Sequence, residues 1–335
     1  MADDVLEVTK PGVLTTVQDL GRPGYLADGI PPSGAFDGAA LKLANLLVGN
    51  PVGDHVLVGE DPGAAGLEIT LRGPELRVLR DSAIAVTGAD IRPAINGTPI
   101  DMWTAVAVAA GDVITFGTAK RGVRAYLAVA GGIDVPLMLG SRATNVRAGI
   151  GGVEGRALRA GDVLPGGSGP GPVAGRRIHP DHIPVYETPG ELRVVLGPQD
   201  HLFTPESVEE FLSFEWKLSP TADRMGCRFV GPALHFLPRP DYLVEQAGSD
   251  PSNIVDDSIC IGSIQVPSGL EPIAMGVDGP SLGGYAKIAT VISPDLSRLA
   301  QLRPGDPVRF RAVDPDEAHD LYVACRAVGG GAELA

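Results

Sequence analysis

Cysteine, histidine and aromatic residues are scarce in this chain, and positive charge is outnumbered. Its three cysteines, Cys227, Cys260 and Cys325, lie far apart in 335 residues and form no C-x-x-C pair. Neither a zinc knuckle nor a disulfide framework is expected, and a reduced, cytoplasmic setting is. Twenty-seven Lys and Arg against 41 Asp and Glu leave a net charge of −14. That balance argues against nucleic acid and anionic membrane as partners, since both require a cationic surface. No apolar run approaches the roughly 20 residues of a membrane span, and no basic segment followed by an apolar run opens the sequence. No G-x-x-x-x-G-K-[ST] phosphate loop and no G-x-S-x-G elbow occur; the nearest match to the latter, at 165–169, runs into Pro170 in a segment of small residues. Of the six histidines, His179 and His182 flank Asp181 in a stretch that reads as an exposed connection, and no metal site is expected.

What is abundant is glycine (45), proline (30) and short apolar runs, with 44% of residues hydrophobic. Runs at 5–8, 13–17, 67–71, 75–79, 83–86, 106–108, 113–116 and 124–129 are short, alternate or are β-branched, and are separated by turn residues. This predicts a barrel or sandwich rather than a doubly wound sheet. Asn96-Gly97 is a two-residue hairpin signal. Ala39, Ala40, Leu43, Leu46 and Leu47 recur at helical spacing, predicting a helix over about 35–48 that Ser33 or Asp37 caps and Gly49 with Pro51 ends. Further helices are expected over 205–214, 294–302 and 314–328. The segment 165–175, almost all small residues and proline, reads as a linker, dividing the chain into 1–168, a connection over 169–184, and 185–335. Leu158-Arg159-Ala160-Gly161-Asp162 is echoed by Leu302-Arg303-Pro304-Gly305-Asp306, and Gly111-Asp112 is a third turn of this kind. The fold class read from these patterns is mainly β with a few helices.

Polar and glycine-rich segments crowd most densely over 249–287. Asp250-Pro251-Ser252-Asn253 and Asp256-Asp257 precede an apolar run, 259–266, that reads as a buried strand; Asp278-Gly279-Pro280-Ser281-Leu282-Gly283-Gly284-Tyr285 follows. Glycines there permit positive φ and close approach of a ligand to the backbone, and the same residues equally suit a tight turn between two strands. Pro32-Ser33-Gly34 at a helix start offers free amides to an anion, or is simply a capped start.

These motifs, in this order, resemble the carboxyltransferase part of urea carboxylase. The likeness includes Thr15-Thr16-Val17-Gln18-Asp19, Gly21-Arg22, Pro31-Pro32-Ser33-Gly34 with Asp37, Leu43-Ala44-Asn45, Gly131-Gly132-Ile133-Asp134, and Leu302-Arg303-Pro304-Gly305-Asp306. It runs from the first residues to about Phe310. The same family carries the label allophanate hydrolase subunit 2, or biotin-dependent carboxyltransferase, and includes a subunit of bacterial 5-oxoprolinase. The glycine-rich loop 278–286 is more like urea carboxylase, whereas Gly197-Pro198-Gln199-Asp200, Asp223-Arg224-Met225-Gly226 and Ser263-Ile264-Gln265-Val266-Pro267 are more like the stand-alone subunits.

The resemblance implies two cyclophilin-like β-barrel domains and a subunit 1 partner in a heteromeric, ATP-using complex. The implied substrate is a small urea, amide or lactam, as in urea-amidolyase, allophanate hydrolase or 5-oxoprolinase chemistry. It also implies that any biotin is presented by a separate carrier, because no Ala-Met-Lys-Met attachment stretch is present and Met275 is not followed by lysine. A serine–lysine amidase motif is missing, so direct hydrolysis is not expected of this chain. The candidates it carries over are Asp278, Arg224 and Asp37 as catalytic residues. Ser33, Gly34, Asn45, Gln18, Asn253, Ser281, Gly283, Gly284 and Tyr285 are the corresponding substrate-binding candidates. Asp223 reads as a turn residue. The alternative from another class is a non-catalytic regulator, since the family includes an antagonist of a kinase inhibitor.

Overall fold

A computed structural model describes residues 3–54, 61–169, 173–186, 190–239, 241–326, 330–331 and 333–335. The chain divides into two compact units, one of 1–23, 32–185 and 326–335, the other of 24–31 and 186–325.

In the first unit the strands are β1 (Asp3–Lys10), β2 (Leu14–Gln18), β3 (Gly66–Thr70), β4 (Glu75–Val78), β5 (Ser82–Gly88), β6 (Ala94–Ile95), β7 (Thr98–Pro99), β8 (Ala105–Val108), β9 (Val113–Thr115), β10 (Arg124–Val129) and β11 (Val163–Gly166), with one helix, α1 (Gly38–Leu47). They form two antiparallel sheets, in the orders β11-β1-β4-β9-β6-β7 and β2-β3-β10-β5-β8. Strand β10 shows how the sequence fills both sides of the second sheet. Ala125, Leu127 and Val129 join the core that also takes Val5, Leu6 and Leu76 from the first sheet. The alternate residues Tyr126 and Ala128 face the core shared with Leu41, Leu43 and Leu47 of α1. Strand β5 repeats the division, with Ile84 and Val86 in the first core and Ala83 and Ala85 in the second. Small side chains on the helix side let α1 settle closely on the sheet. Asp37 caps α1 by accepting the Ala40 N–H at 3.0 Å. At the β6–β7 turn Asn96 (φ 49°) and Gly97 (φ 81°) both adopt the left-handed conformation that a two-residue hairpin requires.

The stretch expected as a linker over 169–184 lies partly outside the described residues; beyond them it runs along β8. The Ala105 N–H donates to Arg176 O and the Ile178 N–H to Trp103 O, and Ile178 is bridged to Leu334.

The second unit contains β12 (Gly190–Leu196), α2 (Pro205–Ser213), β13 (Trp216–Leu218), β14 (Gly226–Val230), α3 (Asp241–Ala247), β15 (Asn253–Ser258), β16 (Ser263–Gln265), β17 (Ile273–Met275), β18 (Leu282–Tyr285), β19 (Lys287–Val291), α4 (Leu296–Gln301), β20 (Pro307–Ala312) and α5 (Pro315–Arg326). Seven strands close into a barrel in the order β12-β19-β16-β17-β14-β13-β20, and β15 pairs with β18 as a separate two-stranded ribbon. Phe310 of β20 stacks on Phe211 of α2 at 4.5 Å and meets Phe229 of β14 edge to face at 5.1 Å. The fully buried Trp216 donates its indole N–H to Phe211 O.

The strand expected over 259–266 begins only at Ser263. Gly262 takes φ 90° and turns the chain, so the apolar residues before it belong to a turn. The acidic segment before that turn, which carries no strand-like alternation, forms β15. The terminal helix, expected to reach 328, is described to Arg326, and 327–328 lie outside the described residues. The three Gly-Asp turns share one geometry. Asp112, Asp162 and Asp306 each accept the backbone N–H three residues earlier, and Gly111, Gly161 and Gly305 have φ between 88° and 96°. Among the described residues no helix is long and apolar enough to cross a membrane, and no group of His, Cys, Asp and Glu is arranged to hold a metal ion.

Candidate functional site

The sequence candidates divide between the two units. In the first unit Gln18, Ser33, Asp37 and Asn45 are buried, with Gly34 beside them. Gln18 ends β2 and donates through Nε2 to Thr16 Oγ1 and Thr144 O, both at 3.0 Å, while its buried Oε1 has no partner among the described residues. Ser33 (φ 56°) accepts from Asn145 Nδ2 at 3.1 Å. Asp19 binds the same loop by accepting from Ser141 Oγ, Arg142 N and Gly21 N at 2.6–2.8 Å. Burial pushes its carboxyl pKa up, against the lowering effect of those donors and of the Arg22 guanidinium. Arg22 in turn donates to Met138 O and Ala143 O. This network pins the loop 138–145 onto the end of β2.

Asp37 and Asn45 act on the helix. Besides capping α1, Asp37 donates its N–H to Tyr126 Oη at 2.8 Å, and Tyr126 donates to Glu68 Oε2 at 2.8 Å. Glu68 also accepts the Phe36 N–H and lies 3.7 Å from Arg124 Nε. Burial first, then the Glu68 and Asp37 charges, hold the Tyr126 hydroxyl well above its ordinary pKa, so it stays a neutral donor. Asn45 donates to Ala64 O and accepts from Asn50, which ties the helix end to Val129 and Gly131.

In the second unit Arg224 and Asp278 meet in a two-point ion pair, Nε to Oδ2 at 2.7 Å and Nη2 to Oδ1 at 3.2 Å, with both side chains under 10% exposed. Their backbones are joined too. The Asp278 N–H donates to Arg224 O and the Gly276 N–H to Met225 O. A forked guanidinium on a carboxylate fixes both groups in direction as well as distance. Asp223 accepts from Met225 N and Gly226 N, the turn role its sequence suggested. The Gly279 N–H is taken by Gly276 O. Asn253 opens β15 and lies opposite Tyr285 of β18; Gly283 lies opposite Asp257. Ser281 is buried and its carbonyl accepts the Ile259 N–H, whereas Gly283 and Gly284 are partly exposed and Tyr285 is exposed.

Three polar side chains at the ribbon were not singled out from sequence. Lys287, at the start of β19, is buried and donates through Nζ to Asp257 Oδ2 at 2.7 Å and Ser258 O at 3.1 Å. Gln199 donates to the same Asp257 oxygen and accepts the Lys287 N–H. Gln265, the last residue of β16, is 3% exposed. The signal for Lys287 was a lone cation opening an apolar strand, Lys287-Ile288-Ala289-Thr290-Val291.

The Lys287 ammonium, followed by the Gln199 amide, holds the Asp257 carboxyl below its ordinary value of 3.8. A lowered carboxyl pKa contributes stability that is present above that value and lost as pH falls through the folded-state pKa. Asp257→Asn is therefore expected to lower the thermal midpoint at neutral pH, by leaving the buried ammonium without its counter-charge. The further fall between about pH 5 and pH 3 should be shallower than in the wild type. Scanning calorimetry across that range checks this; an unchanged acid slope would show that the pair does not govern acid sensitivity.

The comparisons with known proteins agree with this architecture. The model of the carboxyltransferase domain, subdomain A and B, matches residues 28–312. A urea amidolyase of Lachancea kluyveri is 37% identical over 331 residues, covering 94% of this chain and 17% of that protein. A 5-oxoprolinase subunit of Escherichia coli K12 is 34% identical over 316 residues, covering 94% of this chain and 93% of that subunit. The crystal structure of Kluyveromyces lactis urea carboxylase superposes with a TM-score of 0.89 at 34% identity, over 99% of this chain and 30% of that one. The chain thus spans less than a third of the urea-handling relatives named here and nearly all of the 5-oxoprolinase subunit. It belongs to the carboxyltransferase family of subdomains A and B, the one its sequence motifs resemble.

Proposed function

We propose that the chain is the carboxyltransferase-type subunit of a complex with a subunit 1 partner, acting on a small urea-, amide- or lactam-type substrate in an ATP-dependent reaction. The observation that carries this reading is the Arg224–Asp278 pair, locked in two-point geometry at the glycine-rich turn of a chain whose family model is a carboxyltransferase. In such a site Arg224 orients the substrate oxygen, and Asp278 is the carboxylate at hand for the proton that an acceptor nitrogen sheds. Biotin on a separate carrier fits the residues present in one respect. The ribbon offers two adjacent glycines, Gly283 and Gly284, with Tyr285 40% exposed beside them, an edge that a flat ring can approach. When bound, carboxybiotin supplies the carboxyl group.

A second reading, the matching subunit of a 5-oxoprolinase, is favoured by length, because the match covers 93% of that subunit in Escherichia coli. Co-expression with a candidate subunit 1, followed by assay of ATP-dependent consumption of urea, allophanate and 5-oxoproline with and without a biotinylated carrier, separates the two. Turnover that needs the carrier is the expected result for carboxyl transfer. Turnover of 5-oxoproline without it moves the assignment to the lactam reaction. A stable complex inert towards all three overturns both and leaves a regulatory partner.

A further inference from the structure

Among the described residues, Gln265 makes none of the side-chain hydrogen bonds a buried carboxamide needs. It is 3% exposed, its Nε2 is buried without a partner, and no hydrogen bond to its Oε1 is found among the described residues. Buried amides without partners are rare in folded proteins and call for an explanation. Both polar and apolar groups lie around it. Gln265 lies opposite Lys287 across the β16–β19 pair, so the two side chains leave the same face of the barrel wall. The Lys287 ammonium has three donors, and among the described residues two are taken, by Asp257 and Ser258. Over Gln265 lies Gly283 of the ribbon. A Cβ there would stand 2.4 Å from Gln265 Nε2 and 2.6 Å from Ile259 Cδ1, so only glycine leaves the carboxamide its place. Ile273 lies opposite Gln265 on β17, and with Ile259 and Met275 it forms a small apolar cluster whose side chains supply no competing hydrogen bonds.

We propose that the Gln265 carboxamide, under Gly283 and beside Lys287, is a subsite for the N–H/C=O edge of a urea or cis-amide. A primary amide presents one donor and one acceptor side by side, which is the complement of that edge. Two parallel hydrogen bonds would satisfy both partners at once. The same edge is present in a small urea or lactam substrate and in the ureido ring of a biotin carrier. The proposal rests on the function argued above and adds to it the residue that reads the amide.

The test is direct binding to the full chain, by ligand-observed NMR with urea, 5-oxoproline and biotin methyl ester as separate probes. The wild type is compared with Gln265→Met, which keeps the length of the side chain and removes both polar ends, and with Gly283→Ala, which displaces the carboxamide by contact. At least one probe is expected to bind the wild type, and its affinity to fall tenfold or more in both variants. The thermal midpoint of Gln265→Met should hold or rise, since an unsatisfied polar group has been removed; a purely structural glutamine would lower it. Binding of urea or 5-oxoproline assigns the subsite to the substrate, and binding of the biotin ester alone assigns it to the carrier. Wild-type affinity retained in Gln265→Met, or a wild type that binds none of the three, overturns the subsite whatever the complex turns over. A wild type that binds while the complex transfers no carboxyl group overturns the reaction and leaves the subsite standing.

Discussion

Asp278→Ala is expected to lower the turnover of the assembled complex by about two to three orders of magnitude, the loss typical when one positioned polar group is removed from a reacting site. It also strands the Arg224 guanidinium. Both side chains of this pair are under 10% exposed, so breaking it costs stability as well, on the order of 3–5 kcal/mol for a buried pair that loses one partner. Two further variants separate chemistry from folding. Asp278→Asn keeps the shape and an oxygen acceptor for Arg224 but neither the charge nor the ability to take a proton, so kcat should fall as far as in Asp278→Ala while the thermal midpoint falls less. Arg224→Lys keeps the charge and loses the fork, so KM should rise more than kcat falls. The measurements are steady-state kinetics on the complex and calorimetry on the same preparations. Asp278→Asn turning over at the wild-type rate would remove this pair from the mechanism and leave it a structural clasp.

Gly34→Ala is expected to be a strongly damaging small substitution in the first unit. Gly34 has φ 86°, and a Cβ built on it would lie 2.6 Å from Gly21 N, 2.6 Å from Leu20 C and 2.8 Å from Leu20 O. All three are main-chain atoms, so no side-chain rotation relieves the overlap. The strands of chain concerned are those on which Asp19 accepts the Gly21 N–H and the Ala35 N–H donates to Asp19 O. Displacing them disturbs the network that pins 138–145. A loss of about 3 kcal/mol or more is expected, at the upper end for single substitutions. Gly140→Ala is the control, because Gly140 has φ 79° with nothing within 4 Å of the added carbon. It should cost only the conformational strain of about 1–2 kcal/mol. Urea denaturation of the two variants gives the comparison, and equal midpoints would show that the close approach at Gly34 relaxes freely.

Much of this fold is legible because local chemistry and tertiary structure agree. Asn96-Gly97 forms the hairpin its residues favour, Asp37 caps the helix it precedes, and three Gly-Asp turns separated by long stretches of chain repeat one hydrogen bond. The expected apolar strand over 259–266 was too long because a glycine in the left-handed region breaks the run, and apolar content alone does not reveal a change of direction. The ribbon strand β15 was hidden for the opposite reason. Asn253-Ile254-Val255-Asp256-Asp257-Ser258 is acidic and pairs only with the glycine-rich β18, so neither partner has the alternation of a half-buried strand. Gln265 and Lys287 could not be read as buried partners from sequence, because an irregularity between Ile264 and Gln265 breaks the two-residue alternation and leaves Ser263, Ile264 and Gln265 all buried. Among the carried-over candidates, the residues themselves distinguish a cap from a ligand only once partners are visible. Asp37 and Asp278 look equivalent in sequence, yet the one caps a helix while the other grips an arginine.

The seam of the barrel joins β12, its first strand in the chain, to β20, its last, in parallel register from Gly190 opposite Val308 to Val194 opposite Ala312. A wall closed in this way exposes no free run of amides and carbonyls along its circumference, so it offers no template on which a foreign strand can polymerise. The same closure links residues far apart in sequence, and the loop entropy of that encounter must be overcome before the contact rewards it. The barrel of the second unit is therefore expected to be slow to form and, once formed, to offer no edge for aggregation along its wall. Its hazardous interval is the period in which a nascent chain has displayed β12 and has not yet completed β20.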